Sequence, residues 1–514
     1  MRQDKRLTIN SICNVGVFAL AVIGNFVLTP FILEHLGQST YGIWALTGSL
    51  LAYSTLISTG LNSAVNRWVP MYMVKRDYTA INHVVNTTLV CYLIAAGIVG
   101  VLVALLSIRF PIWFDIAPGM HTASRLTVLI VGAGFVVLVG LNVFAAVLSS
   151  LQRYDLMAAS DMAGDLGRVA GIIAILCSGF GLVAFAAVSA AANGVRVLLK
   201  TVFALRKFPQ LQIRLSLARW AVLWEMFGYS VNTLMYSCGQ IIQRKAALIL
   251  IGAVMGTAAV TEYAIPSVVM AIVGQLVMAG AAVMKPAATK LDTERRTTLV
   301  QELYLKGTKY ALMIVLPIVG FIQVYGDALM KTWLRDGYVP SMSVILCVAS
   351  VSVGLCSWHT PGFYVVVGMG KHRVFGVATL LGAVFSVLFG LGLALWTSWG
   401  VVGVAIGFAI SESLVALLII TPYCCRSVGI RLREELARCL WPAVCATLPF
   451  AVLLGVARSI YVPVTIGGMM LLVALLTVPI LVGWWLWGFS SNEKARFAAM
   501  LPLGRLRARA GPQS

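Results

Sequence analysis

Charge is what this chain has least of. Only 11% of its 514 residues are Asp, Glu, Lys or Arg, against roughly 25% in soluble domains. A soluble fold keeps much of its surface in water and needs charge there, so a soluble enzyme and a disordered chain are both excluded. Acid is scarcer still, with 18 Asp+Glu against 38 Lys+Arg. The ten cysteines are scattered and form no Cys-x-x-Cys pair. That excludes a secreted disulfide scaffold and leaves small core residues in a reducing or lipid-buried setting. Cys424 and Cys425 are adjacent and expected at the cytoplasmic face. Long polar loops are missing as well. The largest loop expected outside, Tyr325–Ser341, is under twenty residues and leaves no room for an extracytoplasmic catalytic domain.

What is present is apolar. The hydrophobic fraction is 60% and the mean hydropathy +0.93. A spanning helix needs about 20 mostly apolar residues. Fourteen runs qualify: Ile9–Leu33, Tyr41–Leu61, Ile81–Leu106, Leu126–Leu151, Met157–Cys177, Gly181–Leu205, Leu223–Gly252, Thr257–Met284, Tyr310–Val324, Met342–Val367, Val374–Trp396, Gly400–Pro422, Cys439–Val456 and Val462–Trp487. The first is too long for a cleaved signal peptide and no small-residue cleavage site follows it. With the N-terminus inside, alternation assigns thirty Lys and Arg to inside loops and five, Arg109, Arg125, Lys331, Arg335 and Arg458, to outside loops. This positive-inside bias predicts that both termini are cytoplasmic. The inside set includes Arg196 and Lys200. Only Arg168, Arg244 and Lys245 are left within spans.

A faint duplication runs through the chain. Leu36-Gly37 pairs with Ile251-Gly252, Leu151-Gln152-Arg153 with Met369-Gly370-Lys371, and Gly181-Leu-Val-Ala with Gly400-Val-Val-Gly, at offsets of 215 to 219 residues. Six spans per half make this a parallel repeat, as in transporters that rock two bundles about a central site. The expected architecture is all-α and membrane-integral. About fourteen transmembrane helices form two pseudo-symmetric six-helix bundles around a central cavity, plus two C-terminal helices. The expected divisions are an N-terminal bundle over 1–206, a cytoplasmic linker over 207–222, a second bundle over 223–424, two further spans over 425–488 and a basic cytoplasmic tail over 489–514.

Ionisable residues inside spans mark function by default. In span seven Asn232, Tyr236, Gln240 and Arg244 recur every fourth residue, and Tyr229, Thr233, Ser237 and Gln243 flank them on one face. Such a stripe suits the wall of an aqueous cavity, and Arg suits a phosphate because its planar fork gives bidentate hydrogen bonds. Arg244 either lines that cavity or snorkels to the outer interface; Lys245, off the stripe, is the better snorkeller. Lys245 and Glu262 are symmetric about a turn centred near Ala253–Val254, so Glu262 is expected to pair with Lys245 or Arg244, as a structural ion pair or as a rival of substrate anions. In span five Asp165 and Arg168 either neutralise each other at i+3, or Arg168 faces the cavity as a second phosphate contact; Asp161 lies one turn away. Glu412 in span twelve is either a proton or cation coupling group or a protonated packing residue. Arg67 either sits at the cytoplasmic mouth of the cavity or anchors span two at the interface. Pro30, Pro266, Pro317 and Pro361 are hinge candidates. The candidate substrate-binding set is therefore Arg244, Lys245, Arg168, Arg67, Gln240, Tyr236 and Asn232. The candidate coupling set is Glu412, Glu262, Asp161 and Asp165. No catalytic group, metal site or cofactor is expected beyond a proton or sodium ion.

Several stretches together resemble the polysaccharide exporter family of the multidrug/oligosaccharidyl-lipid/polysaccharide exporter superfamily. They are Leu36-Gly37 followed by Tyr41-Gly42, Gly60-Leu-Asn-Ser-Ala-Val-Asn-Arg67 followed by Lys75-Arg76-Asp77, Gly368-Met-Gly-Lys371, and Gly400-Val-Val-Gly-Val-Ala-Ile-Gly407. The resemblance extends to about Thr421. It implies a V-shaped transporter of twelve to fourteen spans that flips oligosaccharides linked to undecaprenyl diphosphate to the periplasmic leaflet. It also implies cationic cavity residues for the diphosphate and sugar, and a cation gradient as driving force. Relatives commonly carry an acidic residue in span seven, where this chain has Gln243-Arg244-Lys245, which favours an anionic substrate. The implied setting is the bacterial inner membrane, in O-antigen, capsule or exopolysaccharide export, beside a polysaccharide polymerase and chain-length regulator. The alternatives are a peptidoglycan lipid-precursor flippase, a drug/cation antiporter of the same superfamily, or a membrane polysaccharide polymerase or ligase. Drug cations want carboxylates in the cavity, and a polymerase or ligase wants the long outer loop that is missing.

Overall fold

A computed structural model describes the backbone of residues 16, 20, 22–371, 373–491 and 493–494, and the side chains of these apart from 59, 60, 63, 64 and 221–233. Among the described residues the regular structure is all helix, with no strand. In chain order the helices are α1 Val22–Leu36, α2 Gln38–Ala52, α3 Thr55–Lys75, α4 Tyr78–Trp113, α5 His121–Gly140, α6 Asn142–Ser150, α7 Tyr154–Cys177, α8 Leu182–Lys207, α9 Trp220–Met255 and α10 Thr257–Ala282. There follow α11 Met284–Thr293, α12 Thr297–Leu334, α13 Pro340–Gly368, α14 Arg373–Trp396, α15 Gly400–Val415, α16 Thr421–Val428, α17 Leu432–Glu435, α18 Trp441–Ile460 and α19 Ile466–Gly483. Among the described residues eleven helices are long and apolar enough to cross a membrane. The three expected spans outside that set lie on α1, on the pair α2 and α3, which breaks at Tyr53-Ser54, and on α7. Large apolar side chains face outward along many helices, as at Leu102, Leu105 and Ile112 of α4 and Leu471, Leu475 and Val478 of α19. Water would oppose that surface and a bilayer accepts it. The chain is a multi-pass membrane protein.

The duplication is explicit in the backbone. Helix starts at Gln38, Tyr78, His121, Tyr154 and Leu182 recur at Thr257, Thr297, Pro340, Arg373 and Gly400, each 218 or 219 residues on. The residues with positive φ at the helix joints pair in the same way: Gly37 with Gly256, Arg76 with Arg295, Asp115 with Arg335, and Gln152 with Gly370. Gly37 and Gly256 share one conformation, φ 76 and ψ 168 against φ 84 and ψ 177. This corrects the sequence pairing of Gly37 with Gly252, which is one helical turn early. Gly252 lies inside α9 and packs on Leu46 and Phe114. A glycine that allows close packing and one that allows a left-handed turn look alike in a sequence.

The chain forms two compact units. One comprises Met1–Ile265 with Gly376–Phe408, the other Pro266–Phe375 with Ala409–Ser514. The repeat drawn from the sequence divides the chain instead around 207–222. In the first unit the core gathers Val65 and Val69 of α3, Ile81, Val85, Leu89 and Tyr92 of α4, Val139 of α5, Val143, Phe144, Val147 and Leu148 of α6, and Phe208. Tyr92 donates to Ser58 O at 3.1 Å and Asn62 Oδ1 at 2.8 Å. The linker after α8 is strapped along α4. Asn82 bonds Gln210 O and Gln212 N, Asn86 bonds Gln212 O and Arg214 N, Thr87 accepts from Arg219 N, and His83 meets Leu217 O. Each Asn amide offers a donor and an acceptor, so it pairs with an extended backbone as a neighbouring strand would.

In the second unit α12 and α13 pack along their length, and α18 and α19 cover α12 through Tyr325, Phe450, Leu454, Leu472 and Leu476. Pro317 and Pro361 lie inside α12 and α13, and π-helical turns interrupt the chain at Ala416–Ile420, Leu436–Leu440 and Trp484–Gly488. Cys424 and Cys425 are buried.

Candidate functional site

α9 carries the predicted stripe on one unbroken helix. Tyr236 and Gln240 are half-buried, Arg244 is exposed and Lys245 half-buried. The side chain of Asn232 lies outside the described residues. The same face continues into Leu248, which is buried, and Gly252, which meets Leu46 of α2 and Phe114. The stripe therefore looks towards protein, not lipid, along its outer end. Gly239, on a neighbouring face, seats α9 on α14: a Cβ there would stand 2.7 Å from Thr379 carbonyl carbon and 2.8 Å from Leu380 N.

The turn after α9 falls at Gly256, not at Ala253–Val254. Lys245 lies eleven residues before it and Glu262 six after it, or about 16 and 9 Å along the helices at 1.5 Å per residue. The equal depth that suggested a Lys245–Glu262 pair does not hold. Glu262 sits next to Thr261, whose hydroxyl donates to Gln38 O at 2.6 Å. Arg67 is exposed on α3, with its guanidinium 5.5 Å from the centre of the Trp68 ring.

The span-five charges are engaged by α8. Lys200 Nζ donates to Asp161 Oδ1 at 2.7 Å, and Arg196 Nη2 pairs with Asp165 Oδ1. Arg168 stands 4.0 Å from the same Asp165 oxygen and donates through Nη2 to Asn25 Oδ1 of α1 at 2.8 Å. The Asp165–Arg168 pair at i+3 is present, and Asp165 is shared: its nearer partner, Arg196, comes from the facing helix. Arg196 and Lys200, assigned from sequence to an inside loop, lie within α8. Gly164 makes room for Arg196, because any Cβ at that position would collide with its stem. By the repeat offset of 219, Arg244 occupies the position of Asn25, the residue that holds Arg168.

In the second unit Glu412 of α15 accepts from Ser352 Oγ of α13 at 3.2 Å. A carboxylate not anticipated from the sequence is Glu435. It is fully buried and accepts from Tyr304 OH at 2.6 Å, Trp358 Nε1 at 3.0 Å and Cys425 Sγ at 2.8 Å. It ties α12, α13 and α16 to the end of α17. Beyond the last helix Glu493 accepts from Lys309 at 2.6 Å, Tyr310 at 2.6 Å and Ser490. Burial pushes its carboxyl up, but these bonds outweigh that and hold it down at about 2.

The comparisons bear on this arrangement as a whole. A family model described as a polysaccharide biosynthesis protein matches residues 83–343. A comparison with curated proteins finds no match. Among solved structures, the chain is similar to a lipid II flippase MurJ in an inward closed conformation, with TM-score 0.70, 11% identity and coverage of 93% of this chain and 98% of that one. It is also similar to a multidrug resistance MATE family transporter of the MOP superfamily in an inward-facing conformation, with TM-score 0.69, 17% identity and coverage of 82% and 97%. At such identities the likeness speaks for the fold alone.

Proposed function

Because the chain belongs to the polysaccharide biosynthesis protein family of membrane exporters, we propose that it is a flippase for undecaprenyl-diphosphate-linked oligosaccharides. It moves repeat units of an O-antigen, capsule or exopolysaccharide from the cytoplasmic to the periplasmic leaflet of the bacterial inner membrane by alternating access, with both termini cytoplasmic. The observation that carries the reading is the excess of positive charge on α7 to α10 of the first unit: Arg168, Arg196, Lys200, Arg206, Lys207, Arg244 and Lys245 against Asp155, Asp161, Asp165, Glu225 and Glu262. Cations held among apolar helices attract an anion, and a diphosphate is the anion that every lipid-linked repeat unit shares. Drug cations would be repelled by the same charges.

Arg244, with Gln240, Tyr236 and Asn232, is assigned the diphosphate and first sugars on α9, with Lys245 and Arg168 supplying further charge and Arg67 guiding entry. Glu412, which accepts from Ser352, and Glu262 are the residues assigned to proton or sodium coupling. No bond of the substrate is made or broken. The polymerase and chain-length regulator act on the product after release. A lipid II-like substrate has the same diphosphate, and the family match favours the polysaccharide branch over it.

The test is surface display. In cells lacking their own copy, wild-type protein restores surface polysaccharide. R244A, at equal membrane levels, is expected to lower it by about tenfold or more, the effect of removing one charge-assisted contact. Unchanged display with R244A would remove Arg244 from the reading.

A further inference from the structure

Three cations and two carboxylates meet where α7, α8 and α1 come together in the first unit. Asp161 holds Lys200, Asp165 holds Arg196, and Arg168 rests between Asp165 and Asn25. The network carries one positive charge in excess. It is also short of acceptors, since the Nε–H groups of both Arg168 and Arg196 are buried without a hydrogen-bond partner. Buried donors left unmade are costly, more so when charged. Their side chains are still reachable, at 21% and 24% exposure.

The duplication supplies an internal control. α14 and α15 are the second copy of α7 and α8, and they pack closely, with Gly407 against the Gly390 backbone. At 219 residues beyond Asp161, Asp165, Arg168, Arg196 and Lys200 stand Leu380, Val384, Val387, Val415 and Ile419. The second helix pair thus does without all five ionisable residues. Replacing a buried ionic network by apolar side chains is often neutral or stabilising, so packing alone does not account for the charges of the first copy. Their placement is graded as well. From Lys200 and Asp161 near the cytoplasmic ends of the two helices, the network climbs to Arg168, ten residues short of the turn at Ser178, or about 15 Å from it.

We propose that Arg168 and Arg196 form a phosphate clamp in which the Asp165 carboxylate holds the place of a phosphate group until one displaces it. A carboxylate and a phosphate both take the guanidinium fork side-on. A phosphate has further oxygens for the two Nε–H donors that Asp165 leaves unpaired, and its charge cancels the excess cation. Asn25 keeps Arg168 pointed at the clamp when Asp165 withdraws. The clamp rests on the reading of an anionic lipid-linked substrate, whose diphosphate is the natural occupant. A phospholipid headgroup offers the same chemistry.

Full-length protein in nanodiscs of phosphatidylcholine, titrated with inorganic pyrophosphate, tests this directly. Pyrophosphate is expected to bind. R168Q, which leaves the Asp165–Arg196 pair intact, should weaken binding by about tenfold or more, and R196K, which loses the fork, should weaken it too. D165N removes the competing charge and should tighten binding by roughly tenfold. If D165N folds poorly, R168Q decides alone. Wild-type affinity in R168Q, or weaker binding by well-folded D165N, overturns the clamp. Undecaprenyl diphosphate and phosphatidic acid are then added separately as competitors; competition by either supports the clamp and identifies the source of the phosphate. Arg168-dependent binding in a protein without effect on surface polysaccharide leaves the clamp and removes the flippase reading. Intact export with no pyrophosphate binding does the reverse.

Discussion

Glu435 is held by three neutral donors, each from a different helix or turn: a phenol, an indole and a thiol. Removing the acceptor strands all three in a dry site, at a cost of about 2–4 kcal/mol. E435A is therefore expected to lower the melting midpoint of the detergent-solubilised protein by several degrees, and E435Q, which keeps an acceptor oxygen, by clearly less. Equal melting of E435A and wild type would contradict the tie. Glu493 allows a pH prediction at the same scale. Its folded carboxyl is held down at about 2 against an ordinary 4.5. A group depressed by folding contributes stability above its unfolded pKa and loses it as pH falls through the folded one. The contact of the C-terminal segment with Lys309 and Tyr310 should therefore be full above about pH 5 and fade between about pH 4 and 2. Proteolysis of that segment by an acid-active protease reports it, and E493Q should release the segment at every pH.

At the scale of elements, the linker over 208–219 is the clearest case of order imposed from outside. Nothing in its own pattern predicts a helix or strand, and α4 fixes it through Asn82, Asn86 and Thr87. N86A removes two of these bonds, worth about 1 kcal/mol each. Tryptic cleavage after Arg214 should then quicken by about thirtyfold; an unchanged rate would mean the strap is held by its apolar contacts. The α7–α8 ladder was within reach of the sequence. Asp161 with Lys200 and Asp165 with Arg196 are each symmetric about the Phe180-Gly181 turn, and both pairs stand at i,i+4 on their own helices. Grouping Arg196 and Lys200 with the inside cations hid it. For Lys245 and Glu262 the same argument starts from a turn near Ala253–Val254, and the turn lies at Gly256, which shifts the centre by two to three residues.

At the scale of the whole molecule, the charge bias predicts topology. A single cysteine placed at Arg335 should react with a membrane-impermeant maleimide from the periplasmic side, and one at Arg433 only from the cytoplasmic side; the opposite pattern would invert the chain. Eleven of the spans were legible among the described residues because lipid demands some twenty apolar residues in a row, a local property of a sequence. So was the repeat, since helices that start at equal spacings leave their turns at equal spacings. Partners across helices were not legible in that way. Asp165 meets Arg196 more closely than Arg168, Asn25 holds Arg168 from 143 residues away, and Glu435 finds Tyr304 131 residues away. A sequence determines how long a helix is and which side lipid accepts. What a charge faces depends on the side chain that packing brings opposite it, and the tertiary structure alone decides that.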